Sequence, residues 1–274
     1  MPKLTSIMRV KDGMEFIHRW LDNIGPLVDE IILVDNGSTD GTLEVIKNHP
    51  KVVCIEHTVG YHEGRDKAIL YKRARERKAD WLLTLDVDEI FEKRMTRERI
   101  EKMMQSKLFT KYRFRRYHLF KDENHFKAGI RNLFHNSVHD REMWKDQPTG
   151  HFPPYKLHIG NPRGIKGLSC WTNIRLKHYS PLYSKKHQEK TKYYSEMDPK
   201  RAKMYDKHHN EIVRTWRFYE FDEKPLVVIL QNLVYWFFFP MKRFHRQFLK
   251  LINKIPNYPS KDRKKGVTNG YNIE

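Results

Sequence analysis

The chain has 274 residues, with 53 Lys and Arg against 34 Asp and Glu and a formal charge of +19. That length suffices for one large domain with a sizeable core, and the positive excess predicts attraction to polyanions: nucleic acid, anionic lipid headgroups or phosphate-bearing substrates. Two cysteines, Cys54 and Cys170, exclude a disulfide framework and a four-cysteine zinc site.

The amino-terminal stretch MPKLTSIMRVKDG lacks the long apolar core of a signal peptide. With the low cysteine count, this predicts a cytoplasmic protein, or one peripheral on a membrane face exposed to the cytosol. Leu4 to Val10 reads as a first strand, and Met14 to Asn23 as a helix with Phe16, Ile17, Trp20 and Leu21 on one face. Glu30 to Val34 is a second strand, apolar on both faces, as expected where helices cover both sides of a sheet. It runs into the polar, turn-rich loop DNGSTDGT and a helix over Leu43 to Asn48. Lys51 to Glu56 is a third strand, Arg65 to about Lys78 a long charged helix, and Trp81 to Leu85 a fourth strand. Strands alternating with helices at this spacing predict an α/β domain with a doubly wound, mostly parallel sheet, residues 1–95 forming its nucleotide-binding half.

Residues 96–200 are less regular. A helix is expected over Arg97 to Met104, a half-buried strand over Lys111 to Phe120 and a partner at Ala128 to Phe134. Ser137 to Gly167, rich in Pro, Gly and His, reads as a long loop, followed by a strand at Ile174 to Tyr179 and a helix at Lys185 to Met197. This predicts a smaller antiparallel region. Residues 201–274 read as a basic, aromatic-rich helical extension. Within it PLVVILQNLVYWFFFPM is about 17 residues, at the short limit for crossing a bilayer. The segment after it sets Phe244, Phe248, Leu249 and Leu251 among Lys and Arg, a pattern that suits an anionic membrane surface.

The chemistry concentrates at one edge. In an open α/β sheet, ligands bind beyond the carboxyl ends of the strands. Asp35 ends the second strand, where a carboxylate can accept the imide N–H of a uracil or an amino group of another base. Asp86 and Asp88 end the fourth, two hard oxygen ligands for a divalent ion that bridges phosphates. Arg65 opens the intervening helix, where a guanidinium can reach phosphate with help from the helix dipole. Glu89, by contrast, reads as a residue that caps or pairs behind the site.

Taken together, RVKDGMEFIHRWL, ILVDNGSTDGT, GRDKA, WLLTLDVDEIF and RLKHYS resemble an inverting family 2 glycosyltransferase of the GT-A fold, across most of the first 195 residues. The resemblance implies transfer of a sugar from a nucleotide sugar, UDP-linked by preference, to a glycan or lipid-linked acceptor, with Mn²⁺ or Mg²⁺ as cofactor. It implies donor contacts from Arg9, Asp35, Arg65 and Asp86. Asp88 would be the direct metal ligand, Asp86 an indirect one, and His178 a further ligand; imidazole suits Mn²⁺. Two features depart from the family pattern. Asp12-Gly13 stands where members often carry Asn-Glu, and no clean His-Glu or Glu-Asp pair supplies the base that must deprotonate the acceptor. His139, Asp140, Glu142, Asp146 and His158 are the candidates, with Asp140 and Asp146 preferred. A nucleotidyltransferase would share the metal edge but calls for a Gly-rich basic loop after the first strand, where RVKDGME has one Gly. A non-catalytic nucleic-acid binder would suit the charge, but no zinc-finger, RRM or helix-turn-helix pattern is visible, so no nucleic-acid partner is expected.

Overall fold

A computed structural model describes residues 1–120, 122–129, 138–157, 159–179, 192, 196 and 216–220, all within the unit Met1–Glu223. The first half alternates β1 (Leu4–Val10), α1 (Met14–Ile24), β2 (Glu30–Asp35), α2 (Thr42–Lys47), β3 (Val52–His57), α3 (Glu63–Glu76) and β4 (Trp81–Thr84). Its strands lie in the order β3-β2-β1-β4, all parallel. On α1, Ile17, Trp20, Leu21 and Ile24 fall at i, i+3, i+4 and i+7 and pack with Leu33 and Leu83 on one face of the sheet. On the other face Leu70, Tyr71 and Ala74 of α3 cover Ile7, Ile32, Val34 and Leu82. Both faces being covered, Ile31 to Val34 are wholly buried, which is why this strand is a continuous apolar run rather than an alternation.

The second half comprises β5 (Glu89–Phe91), α4 (Arg97–Met104), β6 (Phe109–Phe120), β7 (Asp122–Gly129), β8 (Val138–Lys145), β9 (Leu168–His178) and β10 (Trp216–Glu220). Here the sheet turns mixed. β8 lies antiparallel between β4 and β6, β6 is parallel to β9, and β5 is antiparallel to β9. The hairpin strand β7 joins β6 to β10.

Three expectations change. The sheet is wholly parallel only across β1 to β4, and mixed in the second half, where β6 and β9 pair parallel and the other pairs are antiparallel. Residues 138–145, expected within a loop, form the strand β8 at the heart of the sheet. The alternation of apolar residues that marks a strand is hidden there because Arg141 and Glu142 are buried as members of ion pairs. Residues 216–220, expected in a helical extension, form β10. The helix expected at 185–197 lies outside the described residues save 192 and 196, as does the basic segment at 225–254. Among the described residues no helix is long and apolar enough to cross a membrane.

Candidate active site

The register brings the ends of β1, β2 and β4 to one edge, with Val10 beside Asp35 and Ile7 beside Thr84. Two loops leaving that edge are tied together by short polar side chains. Asp12 Oδ1 accepts the Thr39 N–H at 2.8 Å, Ser38 Oγ the Asp12 N–H at 3.0 Å, and Asp40 Oδ2 the Met14 N–H at 2.9 Å. Gly37 and Gly41, at φ +84° and +92°, supply the left-handed turns the second loop needs. Burial acts against ionisation of Asp40, yet hydrogen bonds from Thr42 and from the Met14 N–H hold its carboxyl below the usual range. Asp35 is buried and accepts the N–H groups of Gly37 and Ser38 at 3.2 and 3.1 Å. A carboxylate offers about four lone-pair sites, so these bonds orient it and leave acceptor capacity for a base N–H.

Arg9 and Arg65 converge on Asp66, a wholly buried carboxylate that the sequence reading passed over. Asp66 Oδ2 takes Arg9 Nε at 3.2 Å and Asn36 Nδ2 at 3.0 Å, while Oδ1 takes Arg65 Nε at 2.9 Å. The Arg9 guanidinium also stacks on Tyr61, 4.0 Å from the ring centroid. The remaining guanidinium nitrogens of Arg65 hold the carbonyls of Val59 and Gly60 at 3.1 and 2.9 Å. Nor is the start of α3 open to phosphate in this arrangement. The Glu63 and Gly64 N–H groups donate to Lys156 and Tyr155 carbonyls at 3.0 Å each, and the Arg65 N–H to His62 Nδ1 at 3.1 Å. Arg65 therefore stands as the clasp of the 57–65 loop, beside the donor edge.

The residues after β4 divide into two groups. Asp88 is buried, and its Oδ2 lies 3.3 Å from His178 Nε2. Asp86 is more exposed, with its Oδ2 against Arg141 Nη2. Glu89 stands behind: its Oε2 takes Arg141 Nε at 2.5 Å and the Asp86 N–H at 3.1 Å, and its Oε1 takes Arg116 at 2.9 Å. An oxygen and an imidazole nitrogen converging at Asp88 and His178 fit a divalent ion that completes its shell with phosphate oxygens and water. Asp86 would have to leave Arg141 to join as a direct ligand. Among the described residues no three His, Cys, Asp or Glu side chains converge on one point.

The base candidates separate by place. Asp146 is at the other end of the sheet: its N–H donates to the Asp80 carbonyl at 2.8 Å, just before β4 begins. There it pairs with Arg75 at 3.0 Å and accepts the Tyr71 hydroxyl, which burial and this carboxylate push up to about 12. The structure does not bring Asp146 to the donor edge. Asp140 lies on β8 three residues before Met143, which is beside Leu83, so in this antiparallel pair its backbone is carried toward the carboxyl end of β4. Glu142 pairs with Arg113 at 2.7 Å, and burial pushes its carboxyl up. His139 is on β8, and His158 lies outside the described residues.

The model of glycosyl transferase family 2 matches residues 14–157, more than half of the chain. The chain belongs to that family. No curated protein sequence matches it. Solved structures that it resembles include TarS 1-349 from S. aureus, 17% identical over 52% of this chain and 47% of that one, with a TM-score of 0.37. Another is the mannosyltransferase PcManGT from Pyrobaculum calidifontis in complex with GDP-Man and Mn²⁺, 15% identical over 67% of this chain and 58% of that one, TM-score 0.46. The chain thus spans about half to three fifths of the length of these proteins.

The matched stretch of this family 2 chain takes in Asp35, Arg65, Asp86, Asp88, Asp140 and Asp146, and leaves out Arg9 and His178. Asn36, Asp66, Arg116, His118 and Arg141, which surround the edge, were not singled out from the sequence. Asp66 lies within GRDKA, and its signal was an acid facing inward on a charged helix. Arg141 gave no local signal, because its partners lie 52 and 55 positions away.

Proposed function

We propose that this family 2 member is a metal-dependent, inverting glycosyltransferase that moves a sugar from a UDP-linked donor to a hydroxyl of a glycan or lipid-linked acceptor. The observation that carries the reading is the approach of Asp88 and His178, 3.3 Å apart, at the carboxyl edge of the sheet that also carries the oriented carboxylate of Asp35. Asp88 and His178 would hold Mn²⁺ or Mg²⁺. When bound there, the ion supplies positive charge against the negative charge that grows on a departing diphosphate.

The chain's own residues do the rest. Asp35, fixed by the Gly37 and Ser38 N–H groups, accepts the imide N–H of the base. Arg9, stacked on Tyr61, and Arg65, clasping the 59–60 carbonyls, hold the loop beside the edge where the donor would bind. Asp86, held by Arg141 and the N–H contact to Glu89, faces the ribose. Inversion in one displacement requires that the acceptor hydroxyl lose its proton as it attacks the face opposite the leaving group, and Asp140 is the carboxylate whose strand position suits that task. The basic, aromatic pattern of residues 225–254 supports an acceptor presented at an anionic membrane surface on the cytosolic side.

Thermal shift with a panel of UDP-, GDP- and dTDP-sugars, with and without Mn²⁺, tests the donor side, since a ligand of the native state raises its melting point. UDP-sugars are expected to stabilise the chain only with Mn²⁺, and to lose that effect in Asp88→Ala. Turnover that survives chelation unchanged would remove the metal from the reading, and stabilisation by GDP-sugars alone would replace the base.

A further inference from the structure

The strand pair that delivers His178 delivers a second imidazole with it. β6 and β9 run parallel with His118 beside His178 in register. The rings meet edge to face, with centroids 4.7 Å apart and planes at 69°. Their Nδ1 atoms are 2.7 Å apart. At that separation one nitrogen donates and the other accepts, because two lone pairs or two N–H groups would repel. The far nitrogen of His178, Nε2, is the one that lies 3.3 Å from Asp88 Oδ2. What stands at the Asp88 end of this pair therefore bears on where the protons sit on both rings.

We propose that His118 is a positioning residue for His178, and that a divalent ion bound between Asp88 and His178 reverses the His118–His178 hydrogen bond. This rests on the reading of His178 as a metal ligand. In the ion-free protein Asp88 accepts the Nε2–H of neutral His178, whose bare Nδ1 accepts the Nδ1–H of His118. An ion on Nε2 takes that lone pair, so the His178 proton resides on Nδ1 and is donated to Nδ1 of His118, whose own proton moves to Nε2. Each ring keeps one proton throughout, and none is released. Holding the far nitrogen fixes ring orientation and tautomer, a contribution that is typically about 10–100-fold in metal affinity.

The test uses the full chain labelled with [¹⁵N]histidine at about pH 8, where unperturbed imidazole is neutral. Two-bond ¹H–¹⁵N correlations read the tautomer of each ring during titration with Cd²⁺, a diamagnetic ion that accepts carboxylate and imidazole. His178 is expected to pass from Nε2–H to Nδ1–H, and His118 from Nδ1–H to Nε2–H. Mn²⁺ affinity, read from the EPR signal of the free ion, gives the second measurement. His118→Asn, which keeps an acceptor near the Nδ1 position, is expected to bind within about threefold of the parent, and His118→Phe about 10–100-fold more weakly. Ion-free melting points of both variants check the fold; should the Phe variant fail to fold, the tautomers of the parent decide alone. A His118 ring that stays Nδ1–H while His178 switches overturns the inference and leaves the ligand reading standing, as does undiminished Mn²⁺ affinity in a folded His118→Phe. If His178→Ala binds Mn²⁺ as the parent does and the His178 tautomer never moves, the ligand reading fails and takes this inference with it.

Discussion

The two halves of the sheet solve burial by opposite means. Across β1 to β4 the interior is mostly hydrocarbon and, among the described residues, holds no buried ion pair on the strands: Ile7, Ile31, Ile32, Leu33, Val34 and Leu82 are all fully buried, beside the small polar side chains of Thr5, Ser6 and Thr84. Between β6 and β9 the interior includes charge: Arg115, Arg141, Glu142 and Arg175 are buried on the strands, and Glu89 and Glu92 on the chain after β4. Arg175 meets Glu92 at 2.7 Å, and Arg141 meets Glu89 at 2.5 Å. The first arrangement gives stability from area removed from water. The second makes one member of each pair indispensable once the other is there, since a buried charge without its partner is costly. A site that borders both regions inherits a rigid donor edge from one and an electrostatic frame from the other.

The largest expected effect falls where the halves meet. Asp88→Ala should lower transfer by roughly three orders of magnitude, the scale of losing one preorganised stabiliser of developing charge, with an unchanged melting point in the absence of ligand. Asp140→Asn should lower kcat by about 100-fold and leave the KM for the donor near the parent value, the signature of a lost general base. Asp146→Asn should leave kcat alone and cost about 1 kcal/mol in urea unfolding, because its partners Arg75 and Tyr71 lie far from the donor edge. A reversal of those two outcomes would exchange the roles of the carboxylates.

Stability measurements sharpen the contrast further. Arg175→Met takes from buried Glu92 one of its two guanidinium partners, Arg94 at 2.5 Å being the other, and should cost about 2 kcal/mol, of which the double change with Glu92→Leu should recover part, since Arg94 then loses its own carboxylate. Leu33→Ala in the other half should cost a similar amount by leaving a cavity, and no second substitution of a neighbour's charge should restore it. If the double variant in the charged half is no better than the single one, the frame is not an ion-pair frame.

The smallest effects are in pH dependence, and their signs are opposite. Glu142 is pushed up by burial, so the folded state binds its proton more tightly than the unfolded chain does. Stability from this group is present below the ordinary value of 4.5 and is lost as pH rises from there through the raised folded value. Asp40, despite its desolvation, is held down by Thr42 and the Met14 N–H, so its contribution is present above 3.8 and is lost as pH falls through the lowered folded value. Chemical unfolding across pH 3 to 7, roughly, should show Glu142→Gln flattening the upper slope and Asp40→Asn the lower one. The same slope for both variants would break the distinction between the halves.

What could be read from the chain follows the same division. β1, β2 and β4 announce themselves because a strand covered on both faces is a continuous apolar run, and α1 because its buried residues repeat at helical spacing. The placement of Asp35, Asp86 and Asp88 at the carboxyl edge was legible for a related reason: they sit where apolar runs stop. β8 was not legible, since VHDREMWK buries Arg141 and Glu142 and so carries no two-residue apolar period. Its strand character depends on partners in β6 and in the turn after β4, contacts between distant positions that no local window contains. β5 is three residues long and is defined by pairing with β9 alone. His118 escaped for the same reason as Arg141; its meaning lies in what it touches.

One contact carries further than its size suggests. Gly64 opens α3 directly beneath the loop of residues 153–155, so close that a Cβ there would overlap the carbonyl oxygen of Pro153. Glu63 adds a second tie, its side chain accepting the Ile159 N–H at 2.9 Å. The segment that follows β8 is thus moulded onto the first turn of a helix some ninety positions earlier (about 96 for the Glu63–Ile159 bond). Anyone transplanting that segment from another family member would be exchanging half of a joint. Residues 63 and 64 would have to travel with it, and a graft that ignores them should misassemble on the donor side, even though no donor residue has been touched.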